Sequence, residues 1–509
     1  MNVLHPPPMN FGSLFLRKEH HESAEGSNAL HRSLTAVDLT LLGIGAIIGA
    51  GLFSSIKEMI VGRFDAEGHV VMHGAGPAVI LSYVLTAVAC GLAALCYAEV
   101  AAMVPAAGSA YSYSYAAFGE LVAWIIGWDL IIEYAIGNIY VAQSWGDYFQ
   151  TFLRGLSGTE LPVWLTKDVQ SGTVLAALPE NAGRFPHLFG HVVSMNLPAL
   201  AITMLLTGLL CLGIKESARA NAAMVVLKLV LVAIFIALGV RAIVTHGGTH
   251  WTPFAPNGFK GVWQGAALGF FSYIGFDAVS TAGEECKNPQ RDLPRGLIWS
   301  LIICTVLYMA TAAVLTGVVP VGDLTTNDPL ARAMEIMGYR NIATVFGFGA
   351  VVAMTAVLLV FQLGQTRIFM VMARDGLLPP VFARVHPRFR TPMVSTVVTG
   401  LIVAVGCSIL TPDQAIGLTN IGTLFAFILV SLGVIVLRVR HPDMPRPFRV
   451  PLYPLTPVLS ALACLALVLG LEASNWIRLV VWLAVGLVVY FGYGYGHSVL
   501  RRTRALEQR

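Results

Sequence analysis

Apolar runs of about 20 residues, separated by short polar connections, recur along the chain from residue 36 to residue 499. They fall at roughly 36–60, 76–103, 121–152, 194–214, 219–243, 262–284, 297–319, 343–372, 393–410, 414–437, 455–472 and 476–499. Each is long enough to cross a bilayer as a helix, so the pattern predicts an all-α polytopic membrane protein of about 12 transmembrane helices. An even number of spans returns both termini to one side.

Two runs break the pattern. "LLGIGAIIGAGLF" (41–53) carries Gly43, Gly45, Gly49 and Gly51, each costing a helix about 1 kcal/mol relative to alanine. Gly45 and Gly49 form a small-xxx-small packing face. At about 100° per residue, Gly43 and Gly51 lie on another side, and one packed face does not account for all four. A locally unwound segment is expected instead. Such backbone is tolerated at membrane depth only where it lines a cavity or is buried in protein. Its freed amides, with the positive end of the following half-helix, can hold a carboxylate. "GAALGFFSYIGFDAVSTAGEE" (265–285) is interrupted by Gly269, Gly275 and Asp277. It opens a second group of five spans, and an odd number per unit inverts the second unit. The expected organisation is a 5+5 inverted repeat, 36–243 and 262–437, with discontinuous helices 1 and 6, followed by helices 11 and 12 at 455–499. Paired breaks of this kind point to a midplane transport site. Carbonyls exposed at the second break can accept from an ammonium, so the two breaks describe a clamp for a zwitterion. Phe271 and Phe276 flank the second break, either as covers for a ligand or as ordinary core or lipid-facing aromatics.

Composition agrees with the pattern. Hydrophobic residues make up 56% of the 509-residue chain and charged ones 12%, with mean hydropathy +0.72, against about 25% charged in soluble domains. The net charge of +4 comes without a basic run interleaved with aromatics, which excludes a nucleic-acid partner and leaves the lipid bilayer as the environment. Lys and Arg divide as 20 on the side of the termini and 10 on the other, with Lys228 and Arg367 inside spans. By the positive-inside rule the tails 1–35 and 500–509 are therefore cytoplasmic. Residues 1–35 lack the apolar core of a cleavable signal, so the first span is expected to be its own anchor. The loop 153–193, containing "LPVWL", is expected to fold against the outer membrane surface. Seven scattered cysteines argue for buried apolar roles rather than a disulfide framework or a metal site. With no soluble catalytic domain and with histidines mostly in loops and termini, an enzyme is not expected, and neither is a metal or other cofactor.

Lys228, in "NAAMVVLKLVLVAIF", lies nine residues beyond Arg219, about 13 Å along a helix. An ionisable residue at that depth costs at least about 2.5–3.5 kcal/mol and marks function by default. It is read as a reversible proton carrier or as an ammonium bonded permanently to carbonyls. Glu133, in "GWDLIIEYAIG", is the carboxylate counterpart, a second candidate for proton coupling or an interhelical strut. Asp129 stands one turn before it on the same face. Glu99 is expected at the interface. Met354 and Thr355 offer a flexible apolar chain and a hydroxyl, as pocket residues or partners of the lysine.

With these residues noted, the chain resembles the amino acid-polyamine-organocation superfamily, and within it the bacterial relatives of the cationic amino acid transporters. The motifs are "GIGAIIGAGLF", "VPAAGSAYSYSYAAFGELVAWIIGWDLIIEY" (104–134), "GIKESARANAAMVVLK" (213–228), "FFSYIGFDAVSTAGEECKNPQRDLPRGL" (270–297) and "GQTRIFMVMARDGLLP" (364–379). The resemblance implies twelve helices moving amino acids across the cell membrane by alternating access. It implies that the substrate carboxylate meets Ile47, Gly49, Ala50 and Gly51, that the amine meets Phe271, Ser272 and Ile274, and that Phe276 is a gate. A lysine matching Lys228 implies protons as the coupling ion, with a glutamate matching Glu133 in coupling or gating. Ala50 departs from the hydroxyl that similar transporters place there. Phe271, Phe276 and Met354 favour a neutral over a cationic substrate. The leading expectation is proton symport. An exchanger on the same scaffold is the nearest rival, ahead of a non-transporting sensor or an intramembrane enzyme. The sequence carries no signal for or against a small membrane subunit or an oligomer.

Overall fold

The computed structural model describes residues 14–16, 34–65, 68–104, 108–181, 183–213, 218–246, 249–324 and 326–507. Most of the expected tail 1–35 thus lies outside the described residues. The chain folds as a bundle of helices: α1 (Ala36–Ile47), α2 (Ile56–Val61), α3 (Val79–Met103), α4 (Ser109–Phe118), α5 (Glu120–Ile131), α6 (Gly137–Ser157), α7 (Val169–Ala176), α8 (Leu197–Cys211), α9 (Ala218–His246) and α10 (Gly258–Gly269). Then come α11 (Pro289–Val318), α12 (Pro329–Ile336), α13 (Arg340–Arg374), α14 (Met393–Ile409), α15 (Pro412–Arg440), α16 (Leu455–Val468), α17 (Ala473–Val489), α18 (Tyr495–His497) and α19 (Val499–Glu507). Two short hairpins, β1 (Gly62–Phe64) with β2 (Val70–His73) and β3 (His187–Leu188) with β4 (His191–Val192), complete the described elements.

Among the described residues seven helices are long and apolar enough to cross a membrane, or eight if α1 and the segment Gly51–Val61, bent by 42°, count as one span. The helices α8, α14 and α16 are apolar but shorter. The chain is an integral multi-pass helical membrane protein.

The helix α9 shows how side-chain spacing positions a site residue. Val226, Val230 and Ile234, at i, i+4 and i+8, are exposed and face the surroundings of the bundle. Val225, Lys228, Val232 and Phe235 share the opposite face and are buried. Lys228 therefore points into the protein, where α9 packs on α1, α11 and α13.

One face of the bundle collects the termini. Leu16 accepts from the Glu120 amide, Leu34 pairs with the chain at Glu285 and Lys287, and Val499 donates to Asp375. The opposite face carries the β1–β2 hairpin and the 153–193 segment. The latter holds α7 and the β3–β4 hairpin and is tied to α6 by Lys167 on Asp147 at 2.9 Å. Near the end of α3, Glu99 is buried, with Arg438, Arg446 and the Val450 amide converging on its carboxylate. Within the expected tail at 500–509, residues 500–507 belong to the helix α19, held by a buried pair between Arg501 and Glu120 at 2.8 Å. All seven cysteines are buried.

Candidate functional site

The first break lies where the four glycines place it. The helix α1 ends at Ile47, Ile48 leaves the helical region at φ −77° and ψ 100°, and the chain resumes as a π-turn, Gly51–Ser55, leading into α2. No backbone carbonyl accepts from the Gly49 amide among the described residues. Packing acts on three of these glycines too, each against a different neighbour. A Cβ at Gly43 would meet Ser300 Oγ at 2.6 Å, one at Gly49 would meet Val357 Cγ2 at 2.6 Å, and one at Gly51 would meet Ser272 Cα at 2.4 Å.

The last contact joins the two breaks. The helix α10 gives way to a 3-10 turn, Phe270–Tyr273, then to extended Ile274 and to Gly275 at φ +111°, a conformation that only glycine adopts without strain. A further 3-10 segment, Asp277–Glu285, continues the chain. Ser272 Oγ donates to the Gly51 carbonyl at 3.0 Å. The hydroxyl of Tyr308, on α11, lies 2.8 Å from both the Ile47 and the Ser272 carbonyls, one on each side of the contact.

Lys228 reaches the same place. Its Nζ donates to the Gly45 carbonyl at 2.5 Å and to the Ile48 carbonyl at 3.0 Å, with the side chain fully buried. These carbonyls belong to the end of α1, where interrupted backbone leaves acceptors open and the helix dipole favours a cation. The lysine thus supplies the C-terminal cap of a half-helix in the middle of the bundle.

A second polar centre sits beside the second break. Glu133 lies in a π-turn, Ile132–Ile136, between α5 and α6, a local widening often found at functional positions. Its carboxyl faces Asp277 and Thr423, yet neither oxygen makes a hydrogen bond of normal geometry. Asp277 in turn accepts from the Tyr134 hydroxyl at 2.9 Å and from the Gly275 amide at 3.3 Å.

Ile47, Gly49, Ala50 and Gly51 come together with Ser272 and Ile274 around the joined breaks, all buried. The Phe271 ring packs edge-on against Tyr140 at 4.8 Å, while Phe276 packs on Tyr97 and Phe427 at 5.9 Å and 5.1 Å. Met354 is buried on α13. Thr355, also on α13, accepts from Trp145 Nε1 and donates to the Val351 carbonyl. Asp277 and Tyr308 are functional candidates that sequence reasoning missed. Asp277 counted there only as an interruption of an apolar helix, although a carboxylate at that depth is a signal by itself. Tyr308 had no signal, since a tyrosine in an apolar span is ordinary.

The two faces differ. On the terminal face, Leu34 bridges to Cys286, joining the ends of the two broken spans, and Arg367 of α13 pairs with Glu285 at 2.8 Å. On the opposite face a cavity of about 300 Å³ is lined by Asp147, Thr151, Arg154, Lys167 and Asp328, among others. Asp147 beside it holds the Lys167 ammonium above the usual lysine range.

A helical membrane bundle with two touching helix breaks and a buried lysine at one of them narrows the families that fit. Residues 34–491 match the model of a family described as amino acid permease. The chain belongs to that family. This permease is 46% identical over 495 residues to a branched-chain amino acid permease of Bacillus subtilis (strain 168), covering 96% of this chain and 100% of that protein. It is 42% identical over 492 residues to a methylthioribose transporter of the same organism, covering 96% and 100%. It is 37% identical to the vacuolar cationic amino acid transporter 4 of Arabidopsis thaliana, over 85% of this chain and 68% of that one. The permease is thus a member of the amino acid-polyamine-organocation superfamily, as the sequence motifs implied.

Proposed function

We propose that this permease carries an amino acid across the cytoplasmic membrane together with a proton, by alternating access around the two helix breaks. The observation that carries the reading is Lys228 Nζ bonded to the Gly45 and Ile48 carbonyls. Loss of the lysine proton removes the Coulombic part of its hold on the end of α1, so protonation and the geometry of the first break move together. The backbone at Ile47, Gly49, Ala50 and Gly51 receives the substrate carboxylate. Carbonyls at Phe271, Ser272 and Ile274 receive the ammonium, with Phe276 as the gate. Glu133, facing Asp277, links protonation to the second break. The two broken spans begin inverted repeats at 36–243 and 262–437, with the terminal face in the cytoplasm. On that assignment, the Arg367–Glu285 pair and the Leu34 bridge close the inner side while the 300 Å³ cavity opens outward.

The substrate is a neutral amino acid. Support comes from buried Met354 and Phe271 beside the breaks and from the branched-chain relative. The methylthioribose transporter widens the panel to be tested, because that thioether sugar has neither an ammonium nor a carboxylate for a zwitterion clamp. The test is uptake into proteoliposomes of labelled leucine, isoleucine, valine, arginine, lysine and methylthioribose, with and without an acid-outside gradient. Gradient-dependent accumulation of the branched-chain amino acids is expected. Uptake that needs internal amino acid and ignores the gradient would make the protein an exchanger.

A further inference from the structure

Asp129 is a buried carboxylate with no task in the reading above. It lies on α5 one turn before Glu133, is 1% exposed, and neither of its oxygens has a hydrogen-bond partner. A structural carboxylate in a membrane bundle is normally paired with a cation or held by donors, because an unsatisfied one costs the full penalty of desolvation.

Its surroundings explain what it lacks. The helix α15 brings Gly422, where a Cβ would lie 3.0 Å from Asp129 Oδ1. The helix α13 brings Met372 against Gly127, α17 brings Trp482 against Trp128, and α4 brings Tyr111, whose hydroxyl is spent on Asp375. Among the described residues no lysine, arginine or histidine faces Asp129 from these helices, and no set of three ligands that could hold a metal exists. The carboxyl groups acting on Glu133 are Asp277 and Asp129 itself. The hydroxyl of Tyr97, whose ring packs on Phe276 at the second break, is also buried without a hydrogen bond of normal geometry. At the end of α5, Glu120 is closed off by Arg501, Ser498 and Tyr490. Asp129 is therefore the titratable group along α5 between Glu133 and that sealed end.

We propose that Asp129 is a proton-relay residue, accepting the proton that Glu133 releases and passing it toward the terminal face. This rests on the proton-coupling reading above. The two carboxyl groups are four residues apart, about 6 Å along the helix axis, a span that one bridging water covers. The O–H bond of the Glu133 acid breaks as an O–H bond forms on Asp129, leaving a carboxylate at Glu133. When alternating access opens the terminal side, Asp129 gives its proton to water there and returns to the carboxylate, and no other reactant is consumed.

The test uses full-length protein in proteoliposomes with a trapped pH dye and the panel amino acid that wild type accumulates most. Two quantities are read: gradient-driven uptake with its accompanying internal acidification, and counterflow exchange without a gradient. For Asp129→Asn the first is expected to fall at least about tenfold, as loss of a proton-transfer group does elsewhere, with counterflow within about twofold of wild type. Asp129→Glu, which restores a carboxyl group, should recover the proton flux. If Asp129→Asn does not fold, Asp129→Ser carries the same expectation. Gradient-driven uptake close to wild type, or equal loss of both readouts in a folded variant, overturns the relay. Wild type that moves amino acid without acidification overturns the coupling reading along with it.

Discussion

A side chain at Gly49 has nowhere to go, because a Cβ there would press to 2.6 Å on Val357 Cγ2. A bulky substitution would lose transport through packing alone and reveal nothing about ligand binding. The informative variant is Gly49→Ala with Val357→Ala, which removes the clash while leaving a methyl group at the break. Gly49→Ala alone is expected to lower stability by about 1–3 kcal/mol, and the double variant to regain most of it by thermal melting. Substrate affinity of the double variant should stay at least about tenfold weaker, a loss of about 1.4 kcal/mol or more. Affinity that returns with stability would leave the glycine a packing role only. At this scale much was legible in the sequence. The glycine pattern put an unwound segment within 41–53, where the helix breaks after Ile47, and the depth of Lys228 marked that residue. What a single sequence does not contain is pairing. That Glu133 faces Asp277, or that Tyr308 bonds Ile47 as well as Ser272, depends on contacts between segments more than 100 residues apart, which no local pattern encodes.

The helices themselves were readable because each buries or exposes whole faces. The alternation of Val226, Val230 and Ile234 with Lys228 and Val232 along α9 is an example. Elements whose stability comes from a distant charge were not. The helix α19 follows the last apolar run, and its anchor, Glu120, lies 381 residues away in sequence. The Glu99 cluster escaped notice for the same reason. Removing one member of such a buried pair leaves the other uncompensated. Arg501→Ala should therefore destabilise the protein by about 3–5 kcal/mol, seen as an earlier thermal unfolding transition in detergent. Unchanged melting would mean that α19 contributes nothing to the hold on α5.

At the scale of the whole molecule, the two broken spans meet inside the bundle and are joined at the terminal face by the Leu34–Cys286 bridge, while the cavity on the other face is lined from α6, the 153–193 segment and the chain before α12. The Lys167–Asp147 tie beside the cavity is not a pH switch in the working range. Its lysine sits above the ordinary value of 10.5, so its stabilisation is fully present below that value and is lost only as the pH rises through the higher folded one. Any pH dependence of uptake between about pH 5 and 8 must come from elsewhere. Under the proposed coupling it comes from Lys228 at the first break and from Glu133 and Asp129 beside the second. The most direct test is Lys228→Met in proteoliposomes, with gradient-driven uptake and counterflow measured on the same preparation. In that variant the acid-outside gradient is expected no longer to drive accumulation while folded protein and substrate exchange persist. Gradient-driven accumulation at the wild-type level in that variant would contradict it.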